Sequence, residues 1–451
     1  MAITINQEPT SPNLANHDLL FQVSSTQISQ PQFQYVCDIK DNNGTLIQRI
    51  KQQANPNGDA TFNLSQIIVN DLGVADKVWE ASIDGEFNTA STEYEVYFGE
   101  EYGTSVSSSI TLYDGAGSVG APNTTGSQYY FMLDGVLNPQ QLQNWNWASS
   151  SKLDYQTPSS TEVYSHQNGL TLFNTSSIRF GDYHTISFLN GNVAGDSPQE
   201  FSAQDVYYLR VEEYEADGTL IRQRDFKNRK TCRGGALSQT WQQFNNYLNQ
   251  TEATKITHFG VGTQNFEDSA YGITSSCAYY DVSFYGQLDY NDINESGSWG
   301  SYRFNIVPAD CGYEGVRFAW KNQYGMWDYY NFTLAESRIS NVSRLNYEQS
   351  FVDYNTNTAV PYDNTRRGNT NFYNDITKLR TAESDWLTQS DADNLRELFY
   401  STDVYVQHPS LGFLPVVITD ANITEKTNPR TQKLFKYTAN YQYANRQQAR
   451  L

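Results

Sequence analysis

The sequence predicts an all-β protein built of several β-sandwich or jelly-roll-like domains with a few short helices, and three observations predict it. Aromatic residues make up 14% of the chain, with 33 Tyr, and Tyr, Phe, Thr and Val suit half-buried pleated surfaces, whereas the helix formers Lys, Glu and Ala are scarce. Short apolar runs alternate with polar residues at the side-chain period of a strand. Turns rich in Gly, Asn and Asp separate those runs. At 451 residues the chain is too long for one ordinary core, and ~100–200 residues per domain divides it into about three regions, 1–113, 114–298 and 299–451.

The first region reads as an immunoglobulin- or fibronectin-like sandwich with a polar N-terminal arm through His17. Phe33, Tyr35, Cys37 and Ile39 alternate as a strand, turn at Asp41-Asn42-Asn43-Gly44 and return over Leu46–Ile50. Ser65 caps one or two helical turns that end at Leu72-Gly73, and strands follow at Val78–Ile83 and Tyr94–Phe98. The breaker-rich stretch Asp114–Gly126 marks a boundary or exposed loop; it lacks the Lys-Ser/Thr of a phosphate-cradling loop.

A jelly-roll-like domain is expected next, with strands at Leu170–Phe173, His184–Leu189, Val206–Glu213, Lys255–Val261 and Ala278–Gly286. Helices are expected after Asn138-Pro139 and over Trp241, Phe244 and Leu248. Asp217-Gly-Thr-Leu-Ile221 repeats the turn of Asn43-Gly-Thr-Leu-Ile47. Duplication and chance recurrence among hairpins both account for it.

The last region starts after Asn294–Gly300. It carries strands at Tyr302–Ile306, Val316–Trp320, Tyr329–Leu334, Val404–Val406 and Leu414–Thr419, and an alternation of Phe435, Tyr437, Ala439 and Tyr441. Its one clear helix opens on Ser390-Asp-Ala-Asp393, similar to a capping box, and buries Leu395, Leu398 and Phe399.

A net charge of −20 leaves no cationic surface for phosphates and argues against direct nucleic-acid binding. No apolar run reaches the ~18–20 residues of a membrane span, and the N-terminus lacks signal-peptide character, so cytoplasmic synthesis is expected. Cys37, Cys232, Cys277 and Cys311 form no Cys-x-x-Cys pair and read as buried thiols. The five histidines, His17, His166, His184, His258 and His408, lie far apart, so no metal, cofactor or catalytic residue is assigned.

Two weaker chemistries stay open. Glu212, Glu213 and Glu215 are the candidate carboxylates of a glycoside hydrolase, although a strand sends Glu213 and Glu215 to one face and Glu212 to the other. Trp145, Trp147, Tyr129 and Tyr130 are the candidate stacking platform of a carbohydrate-binding or adhesin-like sandwich facing a host-surface glycan. The loop Asp289–Glu295 crowds oxygen ligands for calcium but lacks the glycine and terminal acid of a calcium loop, which favours a solvated turn.

The stretch Val316-Arg-Phe-Ala-Trp-Lys-Asn-Gln-Tyr-Gly-Met-Trp-Asp-Tyr-Tyr-Asn-Phe332 resembles a segment of structural proteins of tailed bacteriophages, particularly of Bacteroidetes-type hosts. Phe33–Ile39 with Ala60-Thr-Phe-Asn-Leu64, and Ser384–Leu387, Leu395–Phe399, Val404–Val406 and Pro415–Thr419, extend the likeness at both ends of the chain. The resemblance implies a non-enzymatic virion component of the tail, baseplate or capsid surface. Its partners would be identical copies and other virion proteins. Asn322, Gly325 and Asp328 are then expected to form a structural hairpin. Arg366 and Arg367, in the polar segment Tyr354–Asn371, are expected to make inter-subunit contacts.

Overall fold

The computed structural model describes residues 3–9, 13–41, 44–72, 78–83, 86–87, 93–114, 129–136, 173, 175–189, 208–227, 256–266, 272–289, 292–307, 315–334, 336–350, 368–420, 436–444 and 447–449. The protein is all-β, with short helices between strands. It divides into two compact units, one of Met1–Pro308 with Lys321–Asp328, the other of Ala309–Trp320 with Tyr329–Leu451.

The first unit opens with β1 (Ile3–Gln7), β2 (Asn13–Leu14), β3 (Leu20–Ser25), β4 (Gln34–Asp41), β5 (Leu46–Gln52) and β6 (Asp59–Asn63). Helix α1 (Ser65–Leu72), β7 (Glu86–Phe87), β8 (Glu93–Tyr102), β9 (Thr111–Asp114) and β10 (Tyr129–Leu133) follow. A sheet of order β1-β3-β6 faces a second of order β2-β10-β8-β4-β5, with β9 paired to β8. The alternation of Tyr35, Cys37 and Ile39 turns these side chains into the gap between the sheets, where they meet Phe21, Val23 and Phe62. Each such side chain contributes ~1.5–3 kcal/mol by leaving water. Phe21 also meets Tyr130 edge-on at 5.0 Å between ring centroids. Ile68 and Leu72, four residues apart on one helix face, are the buried residues of α1.

Two local expectations are corrected here. The N-terminal segment, expected as a polar arm, is part of the sandwich: β1 pairs with β3, Leu14 and Ala15 are fully buried, and the Tyr130 hydroxyl donates to Glu8 at 2.6 Å. Its few apolar residues suffice because strands that arrive later in the chain cover them. Val78–Ile83, expected as a strand, begins instead with a single 3-10 turn over Val78–Glu80. Adjacent Val78 and Trp79 are both buried, and the Trp79 ring packs on Trp327 at 5.6 Å.

The same unit continues with β11 (Thr175–Ile178), β12 (Thr185–Leu189), β13 (Tyr208–Tyr214), β14 (Leu220–Lys227), β15 (Ile256–Gly260), β16 (Tyr279–Asp289) and β17 (Asp292–Ile306). One sheet has the order β11-β17-β16-β13-β14 and the other β12-β15-β7. Leu209, Val211, Tyr280, Val282 and Phe304 meet Ile186 and Phe259 in the core. The strand expected at Tyr302–Ile306 is the end of the longer β17, which pairs with β16 back to Asp289–Asp292. The helices expected near Asn138 and Trp241 lie outside the described residues.

The two sandwiches share the connectivity of their larger sheets, while the third strand of the smaller sheet differs, β1 beside β3 in the first and β7 beside β15 in the second. In each, a short strand runs parallel to the last strand of the sheet, β2 beside β10 and β11 beside β17. In each, a later pair crosses in the facing sheet, β3 with β6 and β12 with β15. A hairpin then supplies a central and an edge strand, β4 with β5 and β13 with β14. The two turns match in their backbone hydrogen bonds. Asp41 N–H donates to Thr45 and Gly44 N–H to Asp41, as Glu215 does to Thr219 and Gly218 to Glu215, all between 2.9 and 3.0 Å. Gly44 and Gly218 stand at φ +77° and +87°, a region that side chains disfavour. The Gly-Thr-Leu-Ile echo therefore marks equivalent places in two copies of one topology.

Asn265 ties the segment after β15 to the start of β12 and to the Trp79–Ala81 stretch that follows α1. It is 3% exposed, and its amide donates to the carbonyls of Trp79 (2.7 Å) and Ala81 (2.9 Å) and accepts from His184 N–H (2.9 Å) and Gly262 N–H (3.1 Å). Two donors and two acceptors are satisfied, which offsets the cost of burying the amide.

Among the described residues the second unit is a single sheet with helices. β18 (Val316–Lys321), β19 (Trp327–Phe332), β20 (Glu336–Glu348), β21 (Asn369–Glu383), β22 (Val404–His408), β23 (Gly412–Ile418), β24 (Thr438–Tyr443) and β25 (Gln447–Ala449) pair in the order β19-β18-β22-β23-β24-β21-β20, with β25 on β21. Helices α2 (Gln389–Leu395) and α3 (Glu397–Tyr400) lie between β21 and β22 and bury Leu395 and Leu398. The cap sits two residues earlier than expected: Thr388, not Ser390, accepts from Asp391 N–H at 3.3 Å and donates to its carboxylate at 2.7 Å.

The turn joining β18 to β19 belongs to the first unit. The Asn322 side-chain oxygen accepts from the N–H groups of Tyr324 and Met326, both at 3.0 Å, and its amide donates to Asp328 at 2.9 Å. Gly325 has φ +80°, and a Cβ there would stand 2.3 Å from the Asp134 carbonyl oxygen. Gly325→Val is therefore expected to lower stability by roughly 3 kcal/mol. Thermal melting checks it, and an unchanged midpoint would remove the close approach.

Candidate assembly surface

The candidate carboxylates do not converge. Glu213 sits two residues before its turn, where the first sandwich has the core residue Ile39, and both are fully buried. Pairing of β13 with β14 sets Glu213 opposite Arg222 and Val211 opposite Arg224, so both guanidinium groups share its face. Each donates to Glu213 Oε1 at 2.6 Å, Thr274 N–H donates to Oε2 at 2.8 Å, and Arg222 also reaches the Gly272 carbonyl. Burial alone would raise the Glu213 carboxyl. The hydrogen bonds from Arg222 and Thr274, with the charge of Arg224, outweigh it and hold the group below the usual carboxylate range. Glu212 is on the opposite face beside the Tyr214 hydroxyl at 3.2 Å, and Glu215 is exposed in the turn. The Glu213 carboxylate is thus bonded to two side chains of β14 and to the backbone of Thr274.

Ser187 and His258 form a pair that the sequence did not suggest, with Oγ and Nδ1 2.7 Å apart. They are directly opposed on β12 and β15 and are 0% and 2% exposed, which denies a substrate access to the hydroxyl. Cys37 and Cys277 are buried free thiols, and burial pushes Cys277 up to about 11. Among the described residues no group of three or more His, Cys, Asp or Glu gathers as a metal site requires, and no helix is long and apolar enough to cross a membrane. Asp289 and Asp292 pair across the end of the β16–β17 hairpin; the side chains of 289–295 lie outside the described ones, as do Trp145, Trp147 and the Tyr129 side chain. Tyr130 is buried and does not offer a sugar platform.

What the described surface does offer is the β20–β21 hairpin. Its 13-residue first strand pairs along its whole length with β21. β21 in turn pairs with β24 at Leu379–Glu383 and with β25 at Asn374–Ile376. Among the described strands nothing else joins Asn369–Tyr373, and β20 is the edge of its sheet. The root is fixed: Glu336 accepts from Arg338 (2.6 Å) and Arg380 (2.7 Å). Burial would raise the Glu336 carboxyl, but the hydrogen bonds from Arg338 and Arg380 and their charges prevail and keep it below its ordinary value.

Beyond the root the hairpin is exposed and apolar at once. Ile339, Leu345, Tyr347 and Phe372 are 46–59% exposed, and the Tyr347 and Phe372 rings meet edge-on at 6.2 Å. A two-stranded ribbon is marginal in water, and apolar side chains on it gain little until something covers them. Gly368 and Asn369 lead into β21, whereas Arg366 and Arg367 lie outside the described residues.

The Glu213 cluster generates a test with its sign fixed by the carboxyl shift. A group whose folded pKa is depressed stabilises fully above its unfolded pKa and loses that contribution as pH falls through the folded one. Glu213→Gln is expected to cost roughly 3 kcal/mol at neutral pH, and its melting gap from the parent protein is expected to narrow on acidification through the carboxylate range. A gap constant with pH would exclude the ion-pair assignment.

No protein-family model matches the chain, and comparison with curated proteins finds no match.

Proposed function

We propose that this chain is a non-enzymatic structural subunit of a virus particle, of the tailed-bacteriophage type, that works by packing against identical copies and other particle proteins in the tail, the baseplate or the capsid surface. The β20–β21 hairpin carries the reading: a long edge strand among the described strands, and exposed apolar side chains at its two-stranded outer end, Leu345, Tyr347 and Phe372, are surfaces that gain their stability from a neighbour. The buried aromatic cores and the ion-paired Glu213 support it as well, since they spend the chain's distinctive residues on holding sheets together. The segment Val316–Phe332, which carries the resemblance to tailed-phage structural proteins, forms the β18–β19 hairpin of the second unit's sheet.

Two measurements test the reading. The purified full-length chain is expected to hydrolyse no glycan, peptide or ester; turnover abolished by Glu213→Gln or Glu215→Gln in a folded variant would establish the glycoside hydrolase instead. Immunogold electron microscopy of particles and cells from a producing culture is expected to label particles at a fixed position. Label confined to cell surfaces would support the carbohydrate-binding or adhesin-like alternative and overturn the particle assignment.

A further inference from the structure

We propose that two copies of this chain join through the outer edge of β20, which pairs antiparallel with β20 of a second copy about a twofold axis at Ser343. The proposal rests on the particle-subunit reading and names the partner of its hairpin. β20 reads ESRISNVSRLNYE, with no lysine, proline or glycine. Lysine and proline are among the residues that ordinarily blunt a free edge, and the four charged residues of β20, Glu336, Arg338, Arg344 and Glu348, are two of each sign. The one irregularity of the ladder, between Leu345 and Asn346, places its extra residue, Phe372, on β21 and leaves the outer edge of β20 regular. Among the described residues, a straight row of backbone donors and acceptors is therefore on offer over the length of the strand.

Charge selects a second copy as the occupant. The whole protein carries −20, so two copies repel over most of their surfaces. β20 and β21 are different: Glu336, Glu348, Asp375 and Glu383 are balanced by Arg338, Arg344, Lys378 and Arg380. Two such hairpins can approach without net repulsion. Within β20 the charges are also placed for self-pairing. Centred on Ser343, antiparallel pairing sets Arg338 opposite Glu348 of the second copy, twice by symmetry, and Ile339 opposite Tyr347, again twice. Centring on Val342 would set Glu336 against Glu348, and centring on Arg344 would set that arginine against itself. Like charges directly opposed are destabilising, so one register stands out from its neighbours. A twofold axis normal to the sheet keeps equivalent faces together, so Ile339, Leu345 and Tyr347 of both copies form one apolar strip across the seam.

The experiment uses the full-length protein. Light scattering after size exclusion is expected to give a dimer, or a larger assembly built of dimers. Ser343→Cys is expected to form a disulfide-linked dimer on a non-reducing gel, because only this residue faces its own copy. Asn341→Cys, opposed by Leu345, is expected to cross-link no more than the parent protein. Ile339→Lys with Leu345→Lys changes exposed positions and is expected to leave the melting midpoint in place at dilutions where both proteins are monomeric, while weakening dimerisation at least about tenfold. A monomeric parent protein, or a dimer indifferent to all of these changes, would overturn β20 self-pairing. Particles that still contain the protein in that case would leave the subunit reading intact, and particles that lack it would remove the reading as well.

Discussion

An open β-sheet ends in a row of backbone donors and acceptors that no neighbouring strand satisfies, and much of this protein's architecture can be traced to how its edges are handled. β5 and β14 close their sheets as the outer strands of hairpins, with charged side chains along them such as Arg49, Lys51, Arg222 and Arg224. Arg49 and Lys51 reach inward to Asp38 and Glu101 at 2.6 and 2.7 Å, which places bulky cations beside an edge that another chain would have to approach. β20 has charges as well, Glu336, Arg338, Arg344 and Glu348, but they are of both signs, and between Arg338 and Arg344 the strand is uncharged. The same constraint explains why its root is so heavily bonded through Glu336, since the ribbon beyond it draws little support from its own sheet.

The paired sandwiches show how one topology accommodates different interiors. Ile39 and Glu213 occupy equivalent places, two residues before equivalent turns, and both are fully buried. An isoleucine needs only neighbours. A glutamate needs two arginines, a backbone N–H and a register that keeps them opposite. Removing one member would leave a buried charge uncompensated, so such a cluster fixes strand alignment more strictly than it adds stability.

Much of the first unit was legible because its signals are local. Glycine after Asn or Asp, flanked by alternating apolar residues, located the turns at Gly44 and Gly218, where only glycine is at ease. The N-terminal strand was not legible, because Ile3 and Leu14 are buried by β3 and β10, partners that no local window contains. Arg222 and Arg224 could have been found: once the turn fixes the register, Glu213 must face Arg222. The β20–β21 hairpin was missed for a different reason. Ile339, Val342 and Leu345 recur at intervals of three, and a strand exposed on both faces has no cause to show the period of two.

The repeated connectivity has a consequence for symmetry. Any closed ring of these chains carries twice as many sandwiches as subunits, with one strand order in their larger sheets β2-β10-β8-β4-β5 and β11-β17-β16-β13-β14. Its true rotational order is set by the number of chains, while its sandwiches can approximate an order twice as high wherever the two kinds occupy similar surroundings. The differences between them, Glu213 against Ile39 among them, are then what keeps alternate positions around such a ring distinguishable.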